Sequence, residues 1–409
     1  MWIRVRLDIG WWDLMSGFLW SMMAKDAHSA ADRVESGWSK DADALACLSV
    51  RSGLDLLLSA LELPAGSEVL YSAVTIPDMV QVAREHGLVP VPVDLAGADL
   101  HLDLKSLHAA LSPRSKVLVV AHLFGARPDL GGALEVAREA GLFVVEDCAQ
   151  AWCGLEYRGD PGADASLFSF GAIKTATALG GALARVGDRS LLARMRTIQR
   201  SYPMESRRAF AARVWEGCLQ RIMSTYLVFS SMVWVAQRRG LNVDQMIDGL
   251  TKRFPDPDLL GQLRQQACAP QLRLLERRLG TYDLRKLEGR IANARALLES
   301  PQLSWPCPEL GDARHTFWLF AYPSEHPEKL VEELWASGVD SARYGSLAVL
   351  PAPDGRPELD CPTAQRLLDQ IVFLPCYAEL PPQALARMRS TILAHESSAG
   401  DSCTPREES

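Results

Sequence analysis

Phe143-Val144-Val145-Glu146-Asp147-Cys148-Ala149-Gln150 is followed by Ser166-Leu167-Phe168-Ser169-Phe170-Gly171-Ala172-Ile173-Lys174 and then Gly180-Gly181. The first run is apolar and β-branched and ends in two carboxylates. The second is short and apolar and reaches a serine five residues before a lysine. Short runs of this kind read as buried strands. Outward from them, further strands are expected at 68–71, 88–93, 116–121 and 182–186, with helices at 54–63, 77–86 and 130–140. Strands alternating with helices imply crossover units on a mainly parallel sheet. Ligands of such sheets sit beyond the carboxyl ends of the strands, which is where Asp147 falls.

Beyond residue 188 the pattern turns helical up to about 300. It contains an apolar run at 222–236 carrying Ser224, Thr225, Ser230 and Ser231, and a break at 253–258. From about 313 it returns to α/β, with strands at 316–322 and 371–374 and helices at 328–337 and 381–396. A polar tail from 397 reads as disordered. The expected division is an N-terminal arm and helix at 1–44, a large domain with a helical insert at 45–250, and a helical segment with a small C-terminal α/β domain at 251–396. The tail, 397–409, closes the chain.

The chain has 409 residues with a net charge of −7. That balance argues against a dedicated nucleic-acid binder, which needs a basic footprint. The nine cysteines are odd in number and scattered with no Cys-x-x-Cys, and the eight histidines are dispersed. This reads as reduced thiols in a cytoplasmic protein, with no metal expected.

Singly, these residues say little. An Asp that ends a strand is usually a turn or cap residue, a loop lysine is usually a solvated charge, and paired glycines usually mark a turn. Their order on this strand pattern is what carries chemistry.

At this point the chain resembles a family, the DegT/StrS-type aminotransferases, which are fold type I enzymes that use pyridoxal phosphate (PLP). Glu146-Asp147-Cys148-Ala149-Gln150-Ala151 and the Asp164-to-Lys174 segment carry the resemblance most specifically. Gly87-Leu88-Val89-Pro90-Val91-Pro92-Val93-Asp94, His122-Leu123-Phe124-Gly125, Ala65-Gly66-Ser67-Glu68-Val69 and Leu374-Pro375 add to it. The resemblance covers residues 45–200 well and 313–395 loosely.

It implies a fold type I architecture, with a mainly parallel seven-stranded sheet, flanking helices and a small C-terminal α/β domain. It also implies a homodimer. By position, Lys174 is the Schiff-base lysine, Asp147 pairs with the pyridine nitrogen and Gln150 approaches the phenolic oxygen. Ser169 binds the phosphate together with a helix start at Ser49-Val50-Arg51-Ser52-Gly53, where Arg51 could pair with phosphate and Ser52 could cap the helix. Ile76 stands where the family places an aromatic residue over the cofactor ring. Thr175 replaces an asparagine after the lysine, and Gly171 lies where a histidine is common. The stretch 340–346 replaces a sugar-contacting segment, and there Arg343 is the candidate grip for an anionic substrate group.

The implied reaction takes an amino group from a small-molecule donor and delivers it to a keto-sugar, nucleotide- or lipid-linked. Its setting is surface-polysaccharide or secondary-metabolite biosynthesis. A non-sugar carbonyl, an amino-lipid precursor, or a PLP-binding regulatory role without turnover are the alternatives. Relatives that dehydrate sugars carry histidine at the lysine position, so Lys174 favours transamination.

Two apolar segments stand outside this scheme. The start carries Trp2, Trp11, Trp12 and Trp20, but Asp8 and Asp13 interrupt it, so it does not read as a cleaved signal. The run at 222–236 falls short of the roughly twenty residues a spanning helix needs. It reads either as a buried helix of the insert or, with Arg221, Arg238 and Arg239 at its ends, as a peripheral membrane contact.

Overall fold

The computed structural model describes residues 1–97, 100–239, 258–298, 314–343 and 345–401. Eight strands lie in the first half of the chain: β1 (Ala44–Cys47), β2 (Glu68–Ser72), β3 (Val74–Thr75), β4 (Val89–Val93), β5 (Ser115–Ala121), β6 (Phe143–Asp147), β7 (Ala165–Ser169) and β8 (Ala182–Val186). Seven of them form one sheet in the order β1-β8-β7-β6-β5-β2-β4. Pairing is parallel from β4 through β7, and β8 runs antiparallel to both neighbours. Val and Leu runs buried on both faces suit this arrangement. Helices cover them: α1 (Trp11–Met23), α2 (Ala27–Trp38), α3 (Val50–Leu61), α4 (Pro77–Glu85), α5 (Leu104–Ala110), α6 (Gly131–Glu139) and α7 (Arg189–Ser201).

The register fixes where the candidate residues meet. Ala121 pairs with Asp147, and Asp147 with Leu167, so the ends of β5, β6 and β7 lie along one edge. Ala182 pairs with Cys47 on one side and Ser169 on the other. The end of β1, which leads into α3, therefore lies about 10 Å from the end of β7, two strand spacings away.

β1 has no counterpart in the sequence reading. Its Ala-Leu-Ala-Cys sequence carries little strand preference. It is held by tertiary contacts instead: Glu35 of α2 accepts a 2.8 Å bond from the Ala46 amide.

The insert contains α8 (Arg207–Met223) and α9 (Tyr226–Arg238), so the apolar run at 222–236 is split at Ser224-Thr225. It is not a buried helix. Leu227 is 77% exposed, while Phe229 and Val233 face inward. Most of the break at 253–258 lies outside the described residues.

The C-terminal unit pairs β9 (Phe320–Pro323) antiparallel with β11 (Ile371–Leu374), over the helices Pro327–Ala336 and Pro382–Asp401. A two-residue strand β10 (Ala348–Val349) pairs with β3. The expected strand at 316–322 starts only at Phe320, because the preceding residues bond elsewhere. Thr316 donates its amide to Gly125 and Leu319 to Phe124. Gly125 cannot be replaced cheaply here: its φ is +100°, and a Cβ would stand 2.4 Å from the Thr316 hydroxyl. The last helix runs to Asp401, so 397–401 continue it where a disordered tail was expected. Residues 402–409 lie outside the described part. Seven cysteines are free, and the described residues contain no disulfide.

Candidate active site

Asp147 closes β6, and its Oδ1 accepts a 2.9 Å bond from the Ala149 amide. Burial pushes its carboxyl above the ordinary range. The Ala149 amide, Lys174 and His122 pull it back, in that order. Lys174 hangs from the loop after β7. Burial lowers the pKa of its amine to about 8, the facing Asp147 carboxylate opposes that, and the Arg51 guanidinium adds to it. The structure therefore brings Lys174, Asp147 and Arg51 into one electrostatic neighbourhood. Lys174 Nζ sits 3.8 Å over the Trp318 ring and has no hydrogen-bond partner among the described residues.

The Lys174 loop is strained and tied down. Ala176 has φ +54° and Leu179 φ +59°, in the left-handed region that non-glycine residues seldom adopt. Phe170 O accepts the amides of Ala178 and Gly180, and Gly181 N donates to Leu48 O. The Ala176 amide is held by Asp8 Oδ2 at 3.0 Å, from the far N-terminus. Burial raises the Asp8 carboxyl, but Lys286, Arg278 and the Ala176 amide more than offset it and hold it below the usual carboxylate range.

At the same edge, Ser169 Oγ accepts the Gly171 amide at 3.4 Å, and α3 begins. Its cap is Ser49 rather than Ser52: Ser49 Oγ accepts the Ser52 amide at 3.1 Å and lies 3.0 Å from the Ser52 hydroxyl. In a Ser-x-x-Ser sequence either serine suits the role, and the backbone decides: Ser49 is extended while Ser52 is already helical. Arg51 pairs with Asp78 at the start of α4. Ile76 caps that helix and is half-buried. Gln150 Oε1 accepts the Phe124 amide at 2.7 Å, bracing a residue of φ +58°.

Arg343 is not brought to this place. It pairs with Glu328, donates to the Asp369 carbonyl at 2.6 Å, and is absent from the lining of the cavity that contains Lys174. A single arginine in an irregular segment carries no sign of the direction it faces. Into that cavity the fold brings other cations that the sequence did not assign to it. Arg6, Arg221, Lys286 and Arg290 line it together with Asp8, Trp318 and Glu379. Arg290 donates to Thr175 Oγ1 at 3.2 Å and to Thr316 O at 2.8 Å. Arg221 donates to Ile9 O, and its buried Nε has no partner. Burial and the neighbouring Arg6 lower its pKa.

Behind the strand ends lies a closed polar network. Glu146 accepts from His122 Nε2 at 2.6 Å, from Tyr157, from the Asp160 amide at 2.7 Å and from Ser166 at 2.8 Å. His122, Glu146 and Cys148 present metal-ligand atoms within 4.8 Å of one another. The four donors already occupy the carboxylate, and burial holds the Cys148 thiol well above its ordinary pKa.

Residues 33–215 match the DegT/DnrJ/EryC1/StrS aminotransferase family. The GDP-perosamine synthase of Caulobacter vibrioides is 34% identical over 159 residues, a match spanning 38% of this chain and 43% of that protein. An enzyme of Acidithiobacillus ferrooxidans, UDP-N-acetyl-3-dehydro-alpha-D-glucosamine 3-aminotransferase, is 25% identical over 367 residues, 87% of this chain and 85% of its own. Among solved structures, the aminotransferase TlmJ from Streptoalloteichus hindustanus shares the fold, with a TM-score of 0.71 at 18% identity over 98% of this chain and all of that one. Over residues 33–215, a little under half of its length, the chain is similar to the DegT/DnrJ/EryC1/StrS aminotransferases.

Proposed function

We propose that this chain is a PLP-dependent aminotransferase that moves an amino group from a small-molecule donor to a nucleotide- or lipid-linked keto-sugar. One observation carries the reading. A half-buried lysine amine with no hydrogen-bond partner among the described residues lies over the Trp318 ring and feels the Asp147 carboxylate, at the strand edge that also carries Ser169 and, two strands away, the start of α3. These groups fit the cofactor. Lys174 would hold its aldehyde carbon and Asp147 its ring nitrogen. Ser169, Ser52 and the amides opening α3 would hold its phosphate, with Arg51 beside them. Ile76 would cover the ring and Gln150 would approach the phenolic oxygen. When bound, PLP supplies an electron sink for the substrate carbon that loses a proton.

The chain's own residues do the rest. Asp147 would face the ring nitrogen and share its proton; burial raises the carboxyl, and the Ala149 amide, Lys174 and His122 oppose that rise. The Lys174 amine, with its pKa near 8, takes the proton from the substrate carbon and returns it. Arg6, Arg221, Lys286 and Arg290 make the cavity a place for an anionic substrate, as the sugar-nucleotide names of both relatives suggest. The division at about 44, 250 and 396 follows the change of pattern along the chain and the cytoplasmic setting the scattered cysteines, while the homodimer rests on the family resemblance.

The visible spectrum of the purified protein with PLP tests the reading. Glutamate is expected to shift the absorbance to the pyridoxamine form, and a keto-sugar to restore it. A yellow protein that no amino donor shifts would leave the regulatory alternative standing. The amine also sets a pH dependence. Only its neutral form attacks an aldehyde, so capture of added PLP by the apoprotein should rise about tenfold per pH unit from roughly pH 6 and level off near 8. A capture rate that is flat across that range would refute the lowered amine pKa.

A further inference from the structure

Helix α1 contains thirteen residues and one charge, Asp13, which is turned inward onto Arg277 and Arg278. Its outer face is therefore uncharged and apolar apart from Ser16, whose hydroxyl is turned onto the Trp12 carbonyl, with Trp12 74%, Met23 67% and Met15 60% exposed. α8 lies alongside. Gly17 lets it approach so closely that a Cβ there would stand 3.2 Å from Val214. α8 adds exposed Trp215, Leu219 and Ile222, and α9 adds Leu227 and Trp234. The Arg221 guanidinium, 5.5 Å over the Trp11 ring, joins the ends of α1 and α8. An apolar face of this extent on a soluble chain marks an interaction surface.

Charge identifies the occupant. Residues 207–239 carry six arginines and a single carboxylate, Glu216, in a chain of net charge −7. Arg213 is spent inward on Glu205, but Arg207, Arg208, Arg238 and Arg239 are exposed at the two ends of the helix pair. A second copy docking by a two-fold axis would lay this basic rim against itself, an unfavourable contact. A bilayer with anionic headgroups satisfies every element. Acyl chains meet the apolar side chains, Trp12, Trp215 and Trp234 take the interfacial zone, and the arginines meet the phosphates. No described helix is long and apolar enough to cross a membrane, so the face lies on the bilayer.

We propose that α1, α8 and α9 form a docking face for an anionic lipid bilayer. Arg221 belongs both to this face and to the lining of the Lys174 cavity, so the docking face adjoins that cavity.

Flotation of the full chain, loaded with PLP, on phosphatidylcholine vesicles with and without phosphatidylglycerol tests the proposal. The protein is expected to float with the anionic vesicles at low salt and to detach as salt screens the arginines. Combining Trp12→Glu with Leu227→Glu should weaken flotation at least about tenfold. Combining Arg238→Gln with Arg239→Gln should weaken it about fivefold per arginine, on anionic vesicles only. No flotation of the unmodified protein at low salt would overturn the proposal. So would a charge-bearing α1/α9 variant that floats undiminished, or a self-association that Leu227→Glu dissolves while no vesicle is bound. The cofactor's visible absorbance, read in the same fractions, reports the catalytic reading separately from the docking.

Discussion

Lys174→Ala is expected to lower turnover at least about 10⁴-fold, since it removes both the group that holds the cofactor and the base that moves the substrate proton. The visible absorbance of the lysine-bound cofactor should vanish with it. The loop itself should survive, because its supports are backbone contacts to Phe170, Leu48 and Asp8 rather than the lysine side chain. That separation makes the result interpretable. Lys174→Arg keeps the positive charge over Trp318 but lacks a nucleophilic amine, and should be as inactive as the alanine variant. Added methylamine should restore part of the activity of Lys174→Ala, because it supplies a base to a cavity emptied of one. Activity retained without any added amine would end the aminotransferase proposal.

Glu146→Ala should cost about 3–5 kcal/mol of folding stability, read as a shift in the urea midpoint. The carboxylate is fully buried and takes four donors: His122, Tyr157, the Asp160 amide and Ser166. Its loss takes from His122, Tyr157, Ser166 and the Asp160 amide the acceptor they share in a largely buried place. Glu146→Gln preserves the volume but presents its NH₂ to donors, so it should recover little. The sign with pH follows from the depressed carboxyl. Burial pushes it up, but His122, Tyr157 and the Asp160 amide overcome that and hold it at about 2. The unfolded chain binds its proton near 4.3. The contribution is therefore complete above about pH 5 and fades as pH falls towards 2. A variant within about 1 kcal/mol of the parent at neutral pH would contradict this account.

That Asp147, Ser169 and Lys174 fall along one strand edge was legible because short strands and a tight loop keep neighbours in sequence close in space, and because crossover topology dictates which strand ends share an edge. Arg6, Arg290, Trp318 and Asp8 were not. Each reaches the site across more than a hundred residues, and no local pattern encodes such a meeting. β1 escaped because alanines form a strand only when a neighbouring helix and strand demand it. Arg343 misled for the opposite reason: its position suggested the site, while Glu328, fifteen residues earlier on another element, claims it. The outward face of α1 is a further case. An apolar helix reads the same whether the sheet or something beyond the molecule covers it, and only the inward turn of Asp13 tells them apart.

The first nine residues bind partners made long after them. Trp2 pairs with residues 338–340, Arg4 grips Asp340 through both its amide and its guanidinium at 2.8 Å, and Asp8 holds the Ala176 amide. On the ribosome this leading strand emerges first and waits. The sheet can assemble once about residue 186 is out, but the strap that fixes the lysine loop to the C-terminal unit can be fastened only after residue 340 appears. A stalled or truncated nascent chain ending before that point would carry a finished sheet and an N-terminal arm not yet anchored at Asp340.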